Sequence, residues 1–170
     1  MAVMGVFQIQ SHLAVESGEF WLQCSIESVN WELSPIVKMT APLAWRNRPI
    51  RDWPVGTPLF SSWVLLFGIL PIDRHAFALR APAGACRFDE ASSSWMNREW
   101  NHCREIRPVP TLPDSNRPES HGCLVVDRVA FVSRVPFVGA LMTPLYKFVF
   151  WRRHRRLRKR FGKPAAVSRA

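Results

Sequence analysis

The chain has 170 residues, 48% of them hydrophobic, with 8 Trp, 11 Phe, a single Tyr and a net charge of +10. That length supports one domain with a sizeable core, and the apolar load excludes a disordered chain. The charge is lopsided: residues 91–170 carry 16 Lys and Arg against 5 Asp and Glu, while residues 1–90 are close to neutral, unlike the basic face of a nucleic-acid-binding domain.

Phe7, Ile9, Ser11, Leu13 and Val15 alternate with Gln8, Gln10 and His12, which predicts a half-buried first strand. Ser17 is the expected N-cap of a short helix with Glu19 in its first turn. A second helical turn over 30–34 is stopped by Pro35. An extended segment at 36–42 leads into a Pro- and Arg-rich loop at 46–57. The stretch 59–70 is apolar on both faces, as in a strand covered on both sides, and 70–73 is the expected turn. Short strands follow at 76–81 and 86–91, joined by Pro82-Ala83-Gly84, with a serine turn at 92–94. A long strand at 95–107, a Pro-rich surface loop at 108–122 and a last strand at 124–133 complete the sheet. A single helical turn is expected within 136–142. The closing helix then runs over 143–161, with Thr143 as N-cap, Pro144 at the first helical position and Gly162 as the stop. Strands joined hairpin-fashion and closed by a terminal helix predict an α+β fold.

Apolar stretches at 54–72 and 135–151 are interrupted by Pro and Ser or by Lys147, short of the ~20 clean residues of a spanning helix. Cys24, Cys86, Cys103 and Cys123 include no C-x-x-C pair, so zinc and thioredoxin-like chemistry lack their signature. The N-terminus reads as a strand rather than a leader. Free thiols and a cytoplasmic setting are therefore expected.

Trp100-x-His102-x-Arg104, Asp127 in the next strand, Pro136, and Arg153-His154-Arg155 on the closing helix form a joint pattern. It resembles the START-like (SRPBCC, polyketide cyclase/lipid transport) superfamily over nearly all of residues 6–162. Asn30-Trp31-Glu32-Leu33-x-Pro35 with Met39-Thr40-x-Pro42 is similar to one bacterial branch of it. The resemblance implies a helix-grip fold: two short helices after strand 1, and a curved antiparallel sheet of about seven strands around a long C-terminal helix. It also implies a ligand cavity between sheet and helix. The expected division is a ligand-binding domain at 1–162 and a basic disordered tail at 163–170.

Strand alternation puts Trp100, His102 and Arg104 on one face, and Cys123, Val125, Asp127, Val129 and Phe131 on one face of the next strand. Pairing of the two strands would bring Asp127 to His102 or Arg104. That contact is either a polar anchor for a ligand head group or a structural ion pair satisfied by itself. Trp63, Phe67, Trp100 and Phe131 on the sheet, with Leu145, Phe148 and Val149 on the helix, are the expected walls of a cavity. Such small-molecule sites typically measure roughly 300–1,000 Å³; ordinary core packing is the alternative reading. His102 beside Asp127 would also suit a cyclase- or dehydratase-like enzyme. However, no Ser-His-Asp spacing, phosphate loop or H-E-x-x-H is present, and Asp89 and Glu90 point to opposite faces. No catalytic residue, metal or cofactor is assigned. The run Arg152, Arg153, Arg155, Arg156, Arg158, Lys159 and Arg160 is a solvated helix end that suits the C-terminal dipole, a contact for an anionic membrane or, least favoured, a contact for nucleic acid. The expected function is binding, transport or sensing of a small hydrophobic ligand.

Overall fold

The computed structural model describes residues 4–56, 58–81, 86–109, 122–135 and 139–164. Strand β1 (Met4–Leu13) alternates exposed and buried side chains. Helix α1 (Ser17–Leu22) is capped by Glu16, whose carboxylate accepts the Glu19 N–H at 2.8 Å. Ser17 therefore lies inside the helix and donates to Glu16 at 3.1 Å, so the expected cap is one residue late. Helix α2 (Ile26–Leu33) starts earlier than expected because Ser25 and Ser28 form a reciprocal capping box. Its N3 residue is Ser where Glu or Gln is the usual signal.

A short strand β2 (Val37–Met39), helix α3 (Leu43–Arg46) and a 3-10 turn at Ile50–Asp52 follow. Asn30 ties β2 to α2: its amide donates to the Met39 carbonyl at 2.8 Å and accepts the Met39 N–H at 2.6 Å. The other strands are β3 (Phe60–Leu66), β4 (Leu70–Phe77), β5 (Arg87–Ser94), β6 (Asn97–Val109) and β7 (Gly122–Ser133). The β3–β4 reversal is made by Phe67 and Gly68, both at positive φ. The expected turn at 70–73 is thus the start of β4, and the serines at 92–94 continue β5. Helix α4 (Gly139–Phe161) begins ahead of Thr143 and Pro144, which lie within it. Gly162, in the left-handed region, ends it as expected. The expected linker at 82–84, most of the Pro-rich loop (110–121), the start of the 136–142 turn (136–138) and most of the tail (165–170) lie outside the described residues.

All seven strands form one antiparallel sheet in the order β1-β7-β6-β5-β4-β3-β2. It curls into a half-barrel around α4, the START-like helix-grip arrangement. Pairing between β4 and β5 spans only two residue pairs, His75 with Ser94 and Ala76 with Ser93. Around this short seam, His75 and Glu90 are both buried. Helix α4 packs on β1 and α2. The larger core cluster gathers under α1, α2 and the 3-10 turn; the smaller one joins Phe7, Val129 and Phe131 to Met142 and Phe150 of α4. Among the described residues no helix is long and apolar enough to cross a membrane.

Candidate ligand-binding site

Strands β6 and β7 pair with Arg104 opposite Asp127. Asp127 is fully buried and its carboxylate is the hub of an ionic network. It accepts Nε and an Nη of Arg104 at 2.8 Å each, Nε2 of His102 at 2.9 Å, and Nε2 of His154 from α4 at 2.9 Å. Arg104 turns its other edge to Glu32 of α2, with two bonds of 2.9 Å. Glu32 also accepts Arg153 of α4 at 3.0 and 2.8 Å. The planar guanidinium fork is what lets one residue hold two carboxylates at once.

The network continues through His102. Its Nδ1 lies 3.5 Å from Glu90 of β5, which is bonded to His75 at 2.6 Å and accepts the Ser92 hydroxyl at 2.6 Å. Three buried carboxylates, Glu32, Glu90 and Asp127, thus face two guanidiniums, Arg104 and Arg153. A charged His102 balances the group, and both its ring nitrogens face carboxylates. Burial opposes that charge, but the bonds to Asp127 and Glu90 outweigh it and raise the imidazole's pKa. Burial likewise opposes ionisation of the carboxylates. Arg104 and Arg153 nonetheless hold Glu32 below the usual carboxylate range, and Arg104 with the two histidines holds Asp127 well below it. On the far side, Ser11 Oγ accepts from Arg158 at 2.6 Å and is hydrogen-bonded to His154 Nδ1 at 2.9 Å.

A cavity of about 210 Å³ lies between the sheet and α4. Its wall is largely apolar, with side chains from α2, β2–β6 and α4; His75, Glu90, His102 and Arg153 bring the edge of the ionic network to it. Asp73, Asn97 and Tyr146 supply the remaining polar groups. The volume falls below the expected range. Trp53, Phe77, Phe88, Trp100, Tyr146 and Phe150 all line the space and occupy much of what the curled sheet encloses. Two of the lining residues, Ile72 and Leu145, are also exposed, so the cavity is not sealed from solvent.

Of the residues expected at the site, Trp100, His102, Leu145 and Val149 line the cavity. Arg104, Asp127 and Phe131 are buried but do not line it. Phe148 is exposed on α4 and stacks on Trp151, because the inner side of the helix carries Tyr146, Val149, Phe150 and Arg153. Trp63 faces away from the cavity, edge-on to Trp95 and beneath Arg74. Phe67 sits in the exposed β3–β4 turn. The error on β3 is one of parity: Val64 and Leu66 line the cavity, and a shift of one residue swaps the two faces of a strand.

Reading the sequence missed Glu32, His75, Glu90, Asn97, Tyr146 and Arg153. Two signals were available. Phe88, Glu90 and Ser92 alternate inward on β5, and Glu32 is flanked by Trp31 and Leu33 in an otherwise amphipathic helix. Asp89 does point away from Glu90 and pairs with exposed Arg87 at 2.9 Å. The second carboxylate near Glu90 is instead Asp127, two strands away.

In the basic run, Arg153 is buried against Glu32 and Arg158 is tied to Ser11. Arg156 lies over Trp31 and donates to its carbonyl at 2.9 Å. Arg155, Lys159 and Arg160 remain exposed. The whole run is therefore not one solvated face: Arg153 takes no part in any surface contact. All four cysteines are free, and burial pushes the Cys24 and Cys123 thiols up to about 12, which leaves them inert. No group of three His, Cys, Asp or Glu side chains with metal-ligand placement occurs among the described residues.

The fold and site can now be set beside known proteins. No curated protein matches the sequence. Among solved structures, a START superfamily protein from Mycobacterium smegmatis superposes with a TM-score of 0.59 at 9% identity, covering 92% of this chain and 96% of that one. A protein from Chromobacterium violaceum gives 0.60 at 8% identity, covering 92% and 97%. Truncated norcoclaurine synthase from Thalictrum flavum gives 0.57 at 11% identity, covering 92% and 91%. At such identities the likeness establishes the START-like fold and nothing finer. Residues 11–161, from late β1 to the end of α4, match the family model described as "Domain of unknown function (DUF8410)", and the chain belongs to that family.

Proposed function

We propose that this chain binds a small apolar molecule in the cavity between sheet and α4, as a carrier or sensor. Residues 1–162 form the binding domain in this reading, and 163–170 a tail outside it. The observation that carries it is the cavity itself: its wall is mostly apolar, and two of its lining residues, Ile72 and Leu145, are exposed. A cyclase- or dehydratase-like role for His102 and Asp127 has less support. His102 sits between two carboxylates that raise its pKa, with Nε2 2.9 Å from Asp127 and Nδ1 3.5 Å from Glu90, so both ring nitrogens are turned to the network rather than to a substrate. Native mass spectrometry of protein purified from its host is expected to show a co-purified apolar molecule, displaced by organic extraction. A single mass equal to the bare chain, with no uptake of an added apolar probe, removes the proposal.

A second reading rests on the outer side of α4. Leu141, Leu145, Phe148 and Trp151 are all exposed, spaced at three or four residues, and lead into Arg155 and Lys159. Such a stripe suits docking on an anionic bilayer, where each basic residue contributes about 1 kcal/mol. Co-sedimentation with phosphatidylserine vesicles is expected to fall at least tenfold in Phe148→Ser/Trp151→Ser. Binding that is equal to wild type, or absent from wild type, excludes this reading.

A further inference from the structure

Asn97 stands at the start of β6, where the register with β7 slips between Asn97 and Glu99. A bulge of this kind re-aims a side chain. Asn97 is only 2% exposed and lies on the cavity wall. Its backbone is pinned: the Asn97 N–H donates to Ser94 Oγ at 3.0 Å, and the neighbouring Met96 N–H to Asp73 Oδ1 at 3.1 Å. The side-chain nitrogen donates to the Tyr146 hydroxyl at 2.8 Å. The side-chain oxygen, Oδ1, is buried and has no hydrogen-bond partner among the described residues.

A buried acceptor left unpaired carries its full desolvation penalty, and native proteins hold few of them. Tyr146 supplies the complementary vacancy in bonding. Its oxygen already accepts from Asn97, and among the described residues no acceptor receives its proton. Burial pushes its ionisation up, so it remains a donor at neutral pH. One unpaired acceptor and one unpaired donor therefore belong to neighbouring residues of the cavity wall. The Trp100 ring, 5.1 Å from that of Tyr146, offers flat apolar surface next to them.

We propose that Asn97 and Tyr146 recognise a hydroxyl group on an otherwise apolar ligand. The ligand O–H donates to Asn97 Oδ1, and its oxygen accepts the Tyr146 proton. A ketone or carboxylate only accepts and leaves Oδ1 unpaired; a carboxylate would also face Asp73 and Glu90. An ammonium only donates and leaves the Tyr146 proton unpaired. The inference rests on the apolar-ligand reading and names the head group.

Equilibrium dialysis with 2-naphthol, naphthalene and 2-methoxynaphthalene tests it, on wild type, Tyr146→Phe and Asn97→Leu. Wild type is expected to bind 2-naphthol about tenfold more tightly than either analogue, the worth of one or two neutral hydrogen bonds. In both variants that preference falls toward one, while naphthalene binding stays within about twofold. Tyr146→Phe keeps the ring and its packing, so a loss of preference there is not a loss of fold. If wild type binds 2-naphthol no better than naphthalene, or the variants keep the preference, the hydroxyl site is wrong and the apolar cavity survives. If none of the three binds, both readings are overturned.

Discussion

Asp127→Ala is expected to lower the free energy of unfolding by about 3–5 kcal/mol, measured by urea denaturation. The fully buried carboxylate holds Arg104, His102 and His154, and removing it leaves Glu32 and Glu90 to balance the buried cations with one negative charge too few. The penalty comes from uncompensated buried charge, not from the summed strength of the lost bonds. Asp89→Ala, in the exposed pair with Arg87, is the matched control and is expected to cost under about 1 kcal/mol. Equal effects from the two variants would mean that the network does not hold the sheet to α2 and α4.

The pH profile follows from the same groups. Glu32 and Asp127 have lowered pKa values in the fold. Their contribution is present above the ordinary carboxylate value of about 4 and is lost as pH falls through the depressed values. His102 is raised; its contribution is complete below the ordinary imidazole value of about 6.5 and is lost as pH rises through the raised one. Stability is therefore expected to peak between roughly pH 4.5 and 6.5. His102→Gln should flatten the alkaline limb and weaken the acid one less, since Arg104 is the main cation holding Asp127 down.

Val149→Trp is expected to weaken binding of the apolar probe N-phenyl-1-naphthylamine at least tenfold. Val149 is half-buried on α4 and lines the cavity, and a space of about 210 Å³ does not hold both an indole and this three-ring probe. Overpacking of this sort costs about 1–3 kcal/mol of stability, so far-UV circular dichroism should stay native. Phe148→Trp, one residue away on the exposed side of the helix, should leave the affinity unchanged. Undiminished binding by the Val149 variant would place the probe outside this cavity.

Much of the framework was legible locally. The alternation that sets Trp100, His102 and Arg104 on one face, and Asp127 with Phe131 on another, is a property of extended backbone and needs no knowledge of neighbours. Gly162 closes α4 because glycine takes positive φ without strain. The same alternation was ambiguous on β3, where both faces are apolar. Nothing local chose between Trp63 and Val64 as the inward residue. Tertiary structure decided that, and it also decided the network. Glu32 meets Arg104 across 72 residues and Arg153 across 121. Glu32 and Arg153 each read alone as an ordinary solvated side chain. Only when α2, β6, β7 and α4 close together does desolvation make an unpaired charge intolerable, so each cation must find its carboxylate. The unpaired Asn97 oxygen is visible for the same reason: hydrogen bonding is complete or incomplete only once water has been excluded.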